Sequence, residues 1–401
     1  MADQLRILQV APWPVHGKGT GGMAAVVRDL SAALRDAGHD AVILTSAWAA
    51  PKPDCDGAEL RLRLPSPPSG RQALHRLKWS VHRERAARAL LALCRRNAVD
   101  VIHAHYAAPY LDTLARARKL GAPPFLVTCH RGDVLAVPHL HHAQRVALTA
   151  AMHKASAGVA VSRWLAGEAE TAFALDHVET VPNGFQPPWT ELPTRCRVEE
   201  RVGRRLPERY AVMVANMRPY KGHSVALRAW AMLDRKLNLP LVLVGSGPDF
   251  ETNLSLARQF GLDDQVIFLG HVDRKIANGI LAYSTIVLGP SLNEGQGLFA
   301  LEAGFFARPL ICSAIEPLTD IVIHDSTGLT VTPNDPAQLA DAVLRLNNDP
   351  ALQQRLGQNL QARIKGTFTL EAMANSYLSL YRQIIPPKSD FKKTMETVPG
   401  Q

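Results

Sequence analysis

The feature that most constrains this chain is an alternation that runs its whole length and restarts half-way. Short apolar runs rich in β-formers are each followed by longer stretches of helical period. Strands joined through helices pair in parallel, because the crossover returns the chain to the same end of the sheet. In the first half the runs are R-I-L-Q-V-A (6–11), A-V-I-L-T (41–45), V-D-V-I-H-A (99–104), P-F-L-V-T (124–128), G-V-A-V (158–161) and V-E-T-V (178–181). The second half repeats the pattern at Y-A-V-M-V-A (210–215), L-P-L-V-L-V-G (239–245), Q-V-I-F-L-G (265–270), T-I-V-L-G (285–289), P-L-I-C-S (309–313) and G-L-T-V (328–331). Two such series in 401 residues exceed one core. The pattern predicts an α/β chain of two Rossmann-like domains with parallel sheets facing across a cleft where ligand binds. The expected domains are 1–190 and 210–368, joined by a linker over 191–209, because residues 186–209 are rich in Pro, Glu and Arg without a sustained period. From about Pro336 to Ile385 the chain reads as all-helical, and 386–401, with Pro386, Pro387 and Pro399, as a loose tail.

Composition narrows the function classes. With 47% hydrophobic and 20% charged residues the chain is neither disordered nor fibrous. Asp3 and Arg6 precede the first short apolar run, and no stretch reaches the roughly 18 uncharged apolar residues of a span, so neither a signal peptide nor a transmembrane helix is expected. Five scattered cysteines without a C-x-x-C pair suit a reducing cytoplasm. The net charge of +9 is uneven: residues 1–190 hold 22 Lys and Arg against 15 Asp and Glu. Within 60–99 stand ten basic residues and one acid, Glu84. Leu74, Leu77, Val81, Leu90, Leu91 and Leu93 interleave with those arginines, which suits either an anionic membrane surface or a solvated helix packed on its own domain. Nucleic acid is not expected, since aromatics are not interleaved and no recognition motif is present.

Four strings carry chemistry. G-K-G-T-G-G (Gly17–Gly22) satisfies G-x-G-x-x-G, yet five residues separate it from the first strand and Leu44, Thr45 and Ser46 stand where a dinucleotide-binding fold needs an acid. The loop can still offer N–H groups to an anionic or hydroxyl-bearing ligand. In S-L-N-E-G-Q-G-L-F-A-L-E-A-G (291–304), Glu302 lies in an apolar stretch and needs a dedicated partner, such as vicinal ribose hydroxyls or a structural cation. Glu294 and the N–H groups around Gly295, Gln296, Gly297 and Leu298 would face the sugar and phosphate end of the same ligand. Lys221 and Arg218, in A-N-M-R-P-Y-K-G-H, would hold a diphosphate beside a helix N-terminus. His130, Arg131 and Asp133, in V-T-C-H-R-G-D, stand at the mouth of the first sheet. His103 and His105, and the group His139, His141 and His142, invite a metal, but no acidic or cysteine ligand shares the strand face of the first pair in sequence. His105 is expected to contact the acceptor.

Together these strings resemble the retaining nucleotide-sugar glycosyltransferases of glycosyltransferase family four, with the GT-B architecture. The resemblance rests on G-T-G-G-M (19–23), D-V-I-H-A-H (100–105), T-C-H-R-G-D (128–133), V-P-N-G-F (181–185), R-P-Y-K-G (218–222), the Glu294/Glu302 pair and D-S-T-G-L (325–329), in that order. It implies that Gly21 and Gly22 approach the donor diphosphate or acceptor, His130 the transferred sugar and Lys221 the phosphates. Glu294 would hold sugar hydroxyls and Glu302 the ribose, while Arg131 and Asp133 lie on the acceptor side. Two departures stand out. Where many members carry an arginine five residues before the lysine, this chain has Asn216, with Arg218 displaced by two, and a common glycine pair is replaced by Glu316 and Pro317. The resemblance further implies a nucleoside diphosphate sugar as donor, no cofactor and no metal, and a helix over 369–385 that packs back on the first domain. The acceptor would be lipid-linked or a glycan, at the inner face of the plasma membrane. A sugar-nucleotide epimerase, a sugar phosphorylase and a non-catalytic sugar-nucleotide binding protein are the alternatives.

Overall fold

The computed structural model describes residues 4–13, 15, 22–45, 59–66 and 73–387, and the chain forms two compact units. Unit 1 comprises Met1–Pro182 with Leu370–Gln401, and unit 2 is Asn183–Thr369. Unit 1 runs β1 (Arg6–Ala11), α1 (Gly22–Asp36), β2 (Asp40–Thr45), β3 (Glu59–Arg61), α2 (Ala73–Arg96), β4 (Val101–His105), α3 (Leu111–Lys119), β5 (Phe125–Cys129), α4 (Gly132–Leu135), α5 (His142–Met152), β6 (Ala157–Ala160), α6 (Arg163–Phe173) and β7 (Glu179–Thr180). Unit 2 holds α7 (Arg195–Val202), β8 (Ala211–Val214), α8 (His223–Met232), β9 (Leu241–Val244), α9 (Phe250–Gln259), β10 (Val266–Gly270), α10 (Arg274–Ala282), β11 (Ile286–Gly289), α11 (Leu298–Phe305), β12 (Leu310–Ser313), α12 (Glu316–Thr319), β13 (Leu329–Val331), α13 (Pro336–Asn348) and α14 (Pro350–Thr367). The last helix, α15 (Leu370–Ile384), belongs to unit 1, where it packs beside α1.

Among the described residues unit 1 has a seven-stranded sheet, β3-β2-β1-β4-β5-β6-β7, and unit 2 a six-stranded one, β10-β9-β8-β11-β12-β13, with every recorded pairing parallel. Both orders reverse direction once, between β1 and β4 and between β8 and β11. At such a point the two crossovers leave towards opposite faces and a crevice opens at the strand C-termini. Alternation along each strand feeds two layers of core. In unit 2, Ala211, Met213, Leu241 and Leu243 enter one cluster while Val212, Val242, Val244 and Val287 enter the other. In unit 1 the face bearing Leu8, Val10, Ile102, Ala104 and Val127 is apolar throughout. The opposite face is not: the pairings Gln9↔His103 and His105↔Thr128 put four polar side chains on it.

The expected linker is partly a helix. α7 starts on a Thr194 hydroxyl that accepts from the Arg197 N–H, ends at Gly203 in the left-handed region (φ 69) and buries Val198 completely. At eight residues it is too short to show a helical period, and its one buried residue left no stripe to find. Strand β3, three residues on the sheet edge, also went unpredicted. Gly17 to Gly21, Ser46, Arg71 and the last part of the expected tail lie outside the described residues.

Candidate active site

In unit 2 the two loops that flank the reversal point lock together. The loop after β8 brings Lys221, and the loop after β11 brings Ser291 and Glu294. Lys221 Nζ lies 2.6 Å from Glu294 Oε1, and Ser291 Oγ donates to the same oxygen at 2.7 Å. Glu294 is 6% exposed, so its charge is neutralised by a lysine supplied from another strand end rather than by solvent. The Leu292 N–H donates to the Tyr220 carbonyl at 2.7 Å and ties the two loops by backbone. Between them Gly222 (φ +79) opens α8; a Cβ there would stand 1.9 Å from the Pro290 carbonyl oxygen, so a glycine is required. Gly245 and Gly247 of the loop after β9 press as closely on the Ala215 and Met217 carbonyls from the other side. The outcome is a basic–acidic pair in a close-packed cradle, with exposed Asn216 and Arg218 on the same loop as Lys221.

Unit 1 presents histidines at its own reversal point. His105, at the end of β4, is wholly buried; its Nδ1 meets Nε2 of half-buried His130 at 3.3 Å and its Nε2 meets the Gln9 Oε1 of β1 at 2.6 Å. His103 stacks on it with ring centroids 4.0 Å apart. Burial lowers the pKa of both, and that of His130 to about 4, so all three are neutral at pH 7. Asp133 is 2% exposed and accepts the backbone N–H of Ala107 (2.8 Å), His130 (3.0 Å) and Arg131 (2.8 Å). Those bonds pin a loop in which Arg131 adopts φ 120, and Tyr106, just after His105, adopts φ 78. Both are costly for residues with a Cβ and persist where the surroundings over-determine them.

The geometry corrects two expectations. His105 has no surface for an acceptor; it sits behind His130 and supports it. Asp133 holds the backbone of the His130 loop instead of facing a ligand. Gln296 is 4% exposed and its side chain clasps Asn183, accepting from its N–H at 2.7 Å and donating to its carbonyl at 3.1 Å, so the side chain fixes the V-P-N-G-F loop. Gly295 is buried, Gly297 opens α11 with φ 96, and Leu298 and Glu302 are half-buried along α11. Gly22 opens α1. Gln9, Thr128, Ser291, Tyr377 and Tyr381 were missed; a glutamine inside R-I-L-Q-V-A, on a strand otherwise apolar, was the available signal.

The first half of the chain, residues 20–187, matches the model of Glycosyltransferase Family 4, and residues 197–363 match that of Glycosyl transferases group 1. The chain is a GT-B glycosyltransferase of the family-four type. It is 25% identical over 305 residues to the N-acetyl-alpha-D-glucosaminyl L-malate synthase of Bacillus anthracis, covering 73% of this chain and 77% of that one. Its fold is that of the sucrose-phosphate synthase from Thermosynechococcus elongatus (TM-score 0.77, 23% identity, 95% of this chain and 99% of that one). It is also that of Anabaena HepE in complex with UDP-glucose (TM-score 0.72, 19% identity, 95% and 100%).

Other features of this glycosyltransferase have places of their own. In α2, Leu90 is buried and Leu91 and Leu93 pack on the core, so that end is a domain helix. Leu77 (65% exposed) and Val81 (44%) instead stand out beside exposed Lys78 and Arg85. Arg83 pairs with Asp112 at 2.9 Å, and Glu84 takes both Arg88 and Arg116. His139, His141 and His142 are exposed, and among the described residues no group of three or more His, Cys, Asp or Glu could hold a metal ion. No described helix is long and apolar enough to cross a membrane.

Proposed function

We propose that the enzyme transfers a hexosyl group from a nucleoside diphosphate sugar to a hydroxyl of a lipid-linked or polysaccharide acceptor, keeping the anomeric configuration. The observation that carries this reading is the Lys221–Glu294 pair, 2.6 Å apart at the reversal point of the second sheet. A diphosphate leaving group needs a cation where its charge grows, and a sugar held by its hydroxyls needs a carboxylate next to that cation. Lys221, with exposed Arg218 beside it, supplies the first and Glu294 the second; Glu302, along α11, is assigned to the ribose. His130 is assigned to the transferred sugar. In this reading the leaving diphosphate oxygen takes the acceptor proton on the same face, so the protein positions and neutralises and needs no strong base of its own. Binding of UDP-glucose by HepE, whose fold this chain shares, supports a nucleotide-sugar donor. Donor binding requires no metal in this scheme, because Lys221, Arg218 and helix N-termini take the place of a cation.

The exposed Leu77, Val81, Lys78 and Arg85 of α2 support docking on anionic lipid at the inner face of the plasma membrane. A thermal-shift screen against UDP, GDP, ADP and their sugars, followed by transfer assays and NMR of the product's anomeric proton, tests the reaction. A ligand at ~100 times its Kd adds about 2.7 kcal/mol of stability. Product with inverted configuration, donor epimerised without an acceptor, or activity lost in EDTA and restored by Mg²⁺ would each overturn the corresponding part. For the membrane, co-sedimentation with anionic liposomes should be strong in low salt and weak in high salt, since exposed charges are screened over about 8–10 Å; salt-independent binding or none would refute it.

A further inference from the structure

The polar side chains on the buried face of unit 1's sheet make one continuous chain that ends on α15. From His130 it passes through His105 to Gln9. Gln9 Nε2 then donates to the Tyr381 hydroxyl at 3.4 Å, and that hydroxyl lies 2.7 Å from His103 Nδ1. His103 Nε2 is 2.8 Å from Thr128 Oγ1, which is 3.0 Å from the Tyr377 hydroxyl. Tyr377 and Tyr381, one helical turn apart, are almost wholly buried.

An amide gives such a chain a direction, because its oxygen only accepts and its nitrogen only donates. With the Gln9 oxygen turned to His105, Nε2 of that neutral ring carries the hydrogen and Nδ1 keeps its lone pair. The contact to His130 then requires the hydrogen on Nε2 of His130, which leaves Nδ1 of His130 bare. On the other side Gln9 donates to Tyr381, Tyr381 to His103, His103 to Thr128, and Thr128 to Tyr377. Every donor points away from His130. Nδ1 of His130 has no partner among the described residues, and the residue keeps part of its surface open.

We propose that this one-directional chain, closed by Tyr377 and Tyr381 of α15, holds His130 as the Nε2–H tautomer, so that Nδ1 is a dedicated hydrogen-bond acceptor. The group it meets must then bring a hydrogen: a sugar hydroxyl, not a phosphate or carbonyl oxygen. Gln9, His105 and Tyr381 are positioning residues for that contact. The hydroxyl assignment rests on the proposed reaction; the tautomer does not.

The full-length protein labelled with ¹⁵N-histidine and observed without ligand in long-range ¹H–¹⁵N spectra decides the direction, with the His130 signals assigned by their loss in His130→Ala. The Nε2–H pattern is expected at His130; the Nδ1–H pattern overturns the proposal. Tyr381→Phe removes the acceptor of the Gln9 N–H, and should give mixed tautomers at His130 together with about a tenfold fall in kcat/KM. A folded Tyr381→Phe protein with an unchanged His130 spectrum would show that α15 does not control the ring; should that variant not fold, the wild-type spectrum still decides. Donor analogues in which single sugar hydroxyls are replaced by fluorine, which cannot donate, test the contact. One position should cost about tenfold in wild type and nothing further in His130→Ala; equal losses in both refute a hydroxyl at Nδ1. If no donor is turned over yet the Nε2–H pattern is present, the proposed reaction fails and the tautomer stands.

Discussion

Removing Lys221 would leave Glu294 as a buried carboxylate with a serine hydroxyl as its other recorded partner, so the two residues cannot act independently. Lys221→Ala and Glu294→Gln should each lower kcat strongly, and the double variant should cost less than the sum. A coupling of about 1–3 kcal/mol in a double-mutant cycle on kcat/KM is expected, and additivity would mean that the pair does not work as a unit. Glu302→Gln should behave differently, because ribose is bound equally in ground and transition states: KM for the donor should rise with kcat nearly unchanged. If that variant binds nucleoside diphosphate as tightly as wild type, the ribose assignment is wrong. Glu294 and Lys221 were visible in the sequence because each stands in a glycine-flanked loop just beyond a strand. Their direct contact was not, since the pair is 73 positions apart and only the reversal of strand order makes the two loops neighbours.

At the scale of elements, Gly222 is the hinge on which the cradle depends: it starts α8 and meets Pro290 of the facing loop. Gly222→Ala combines an unfavourable φ with a backbone clash, so we expect about 1–3 kcal/mol of lost stability and a several-fold loss of nucleotide affinity, checked by thermal melts and titration. Wild-type affinity would mean that the two loops can part without harm. All twelve strands expected from the sequence are present, to within a residue or two at their ends, because parallel strands buried on both faces read as apolar runs. What failed to show was anything short or long-range. α7 and β3 carry too few residues for a period, and the histidines of β4 alternate as expected yet turn inward, which strand position alone does not tell. The partner of the Gln9 amide nitrogen lies 372 residues away on α15, beyond the reach of any local pattern.

Over the whole molecule, the buried neutral histidines are unevenly shared. Among the described residues unit 1 carries His39, His103, His105 and His130 with lowered pKa, against His223 in unit 2, whose two ring nitrogens are buried without partners among those residues and whose pKa falls to about 4. Each binds protons less readily folded than unfolded, so its contribution is complete above the ordinary value of 6.5 and is lost as pH falls below it, towards about 4 for His130 and His223. Hydrogen exchange compared at about pH 7.5 and about pH 5 should therefore show unit 1 loosening before unit 2; the reverse order would refute the assignment. The return of α15 has a consequence in time. Unit 2 is an insertion whose two ends are stitched together by the Phe185 N–H donating to the Phe368 carbonyl at 2.9 Å. A ribosome that has released Met1–Pro182 has delivered every strand of the first sheet, but not the tyrosines that satisfy Gln9 and His103. The half of the enzyme that is made first is finished last, and a premature stop near residue 370 would injure the part of the protein furthest from it in the message.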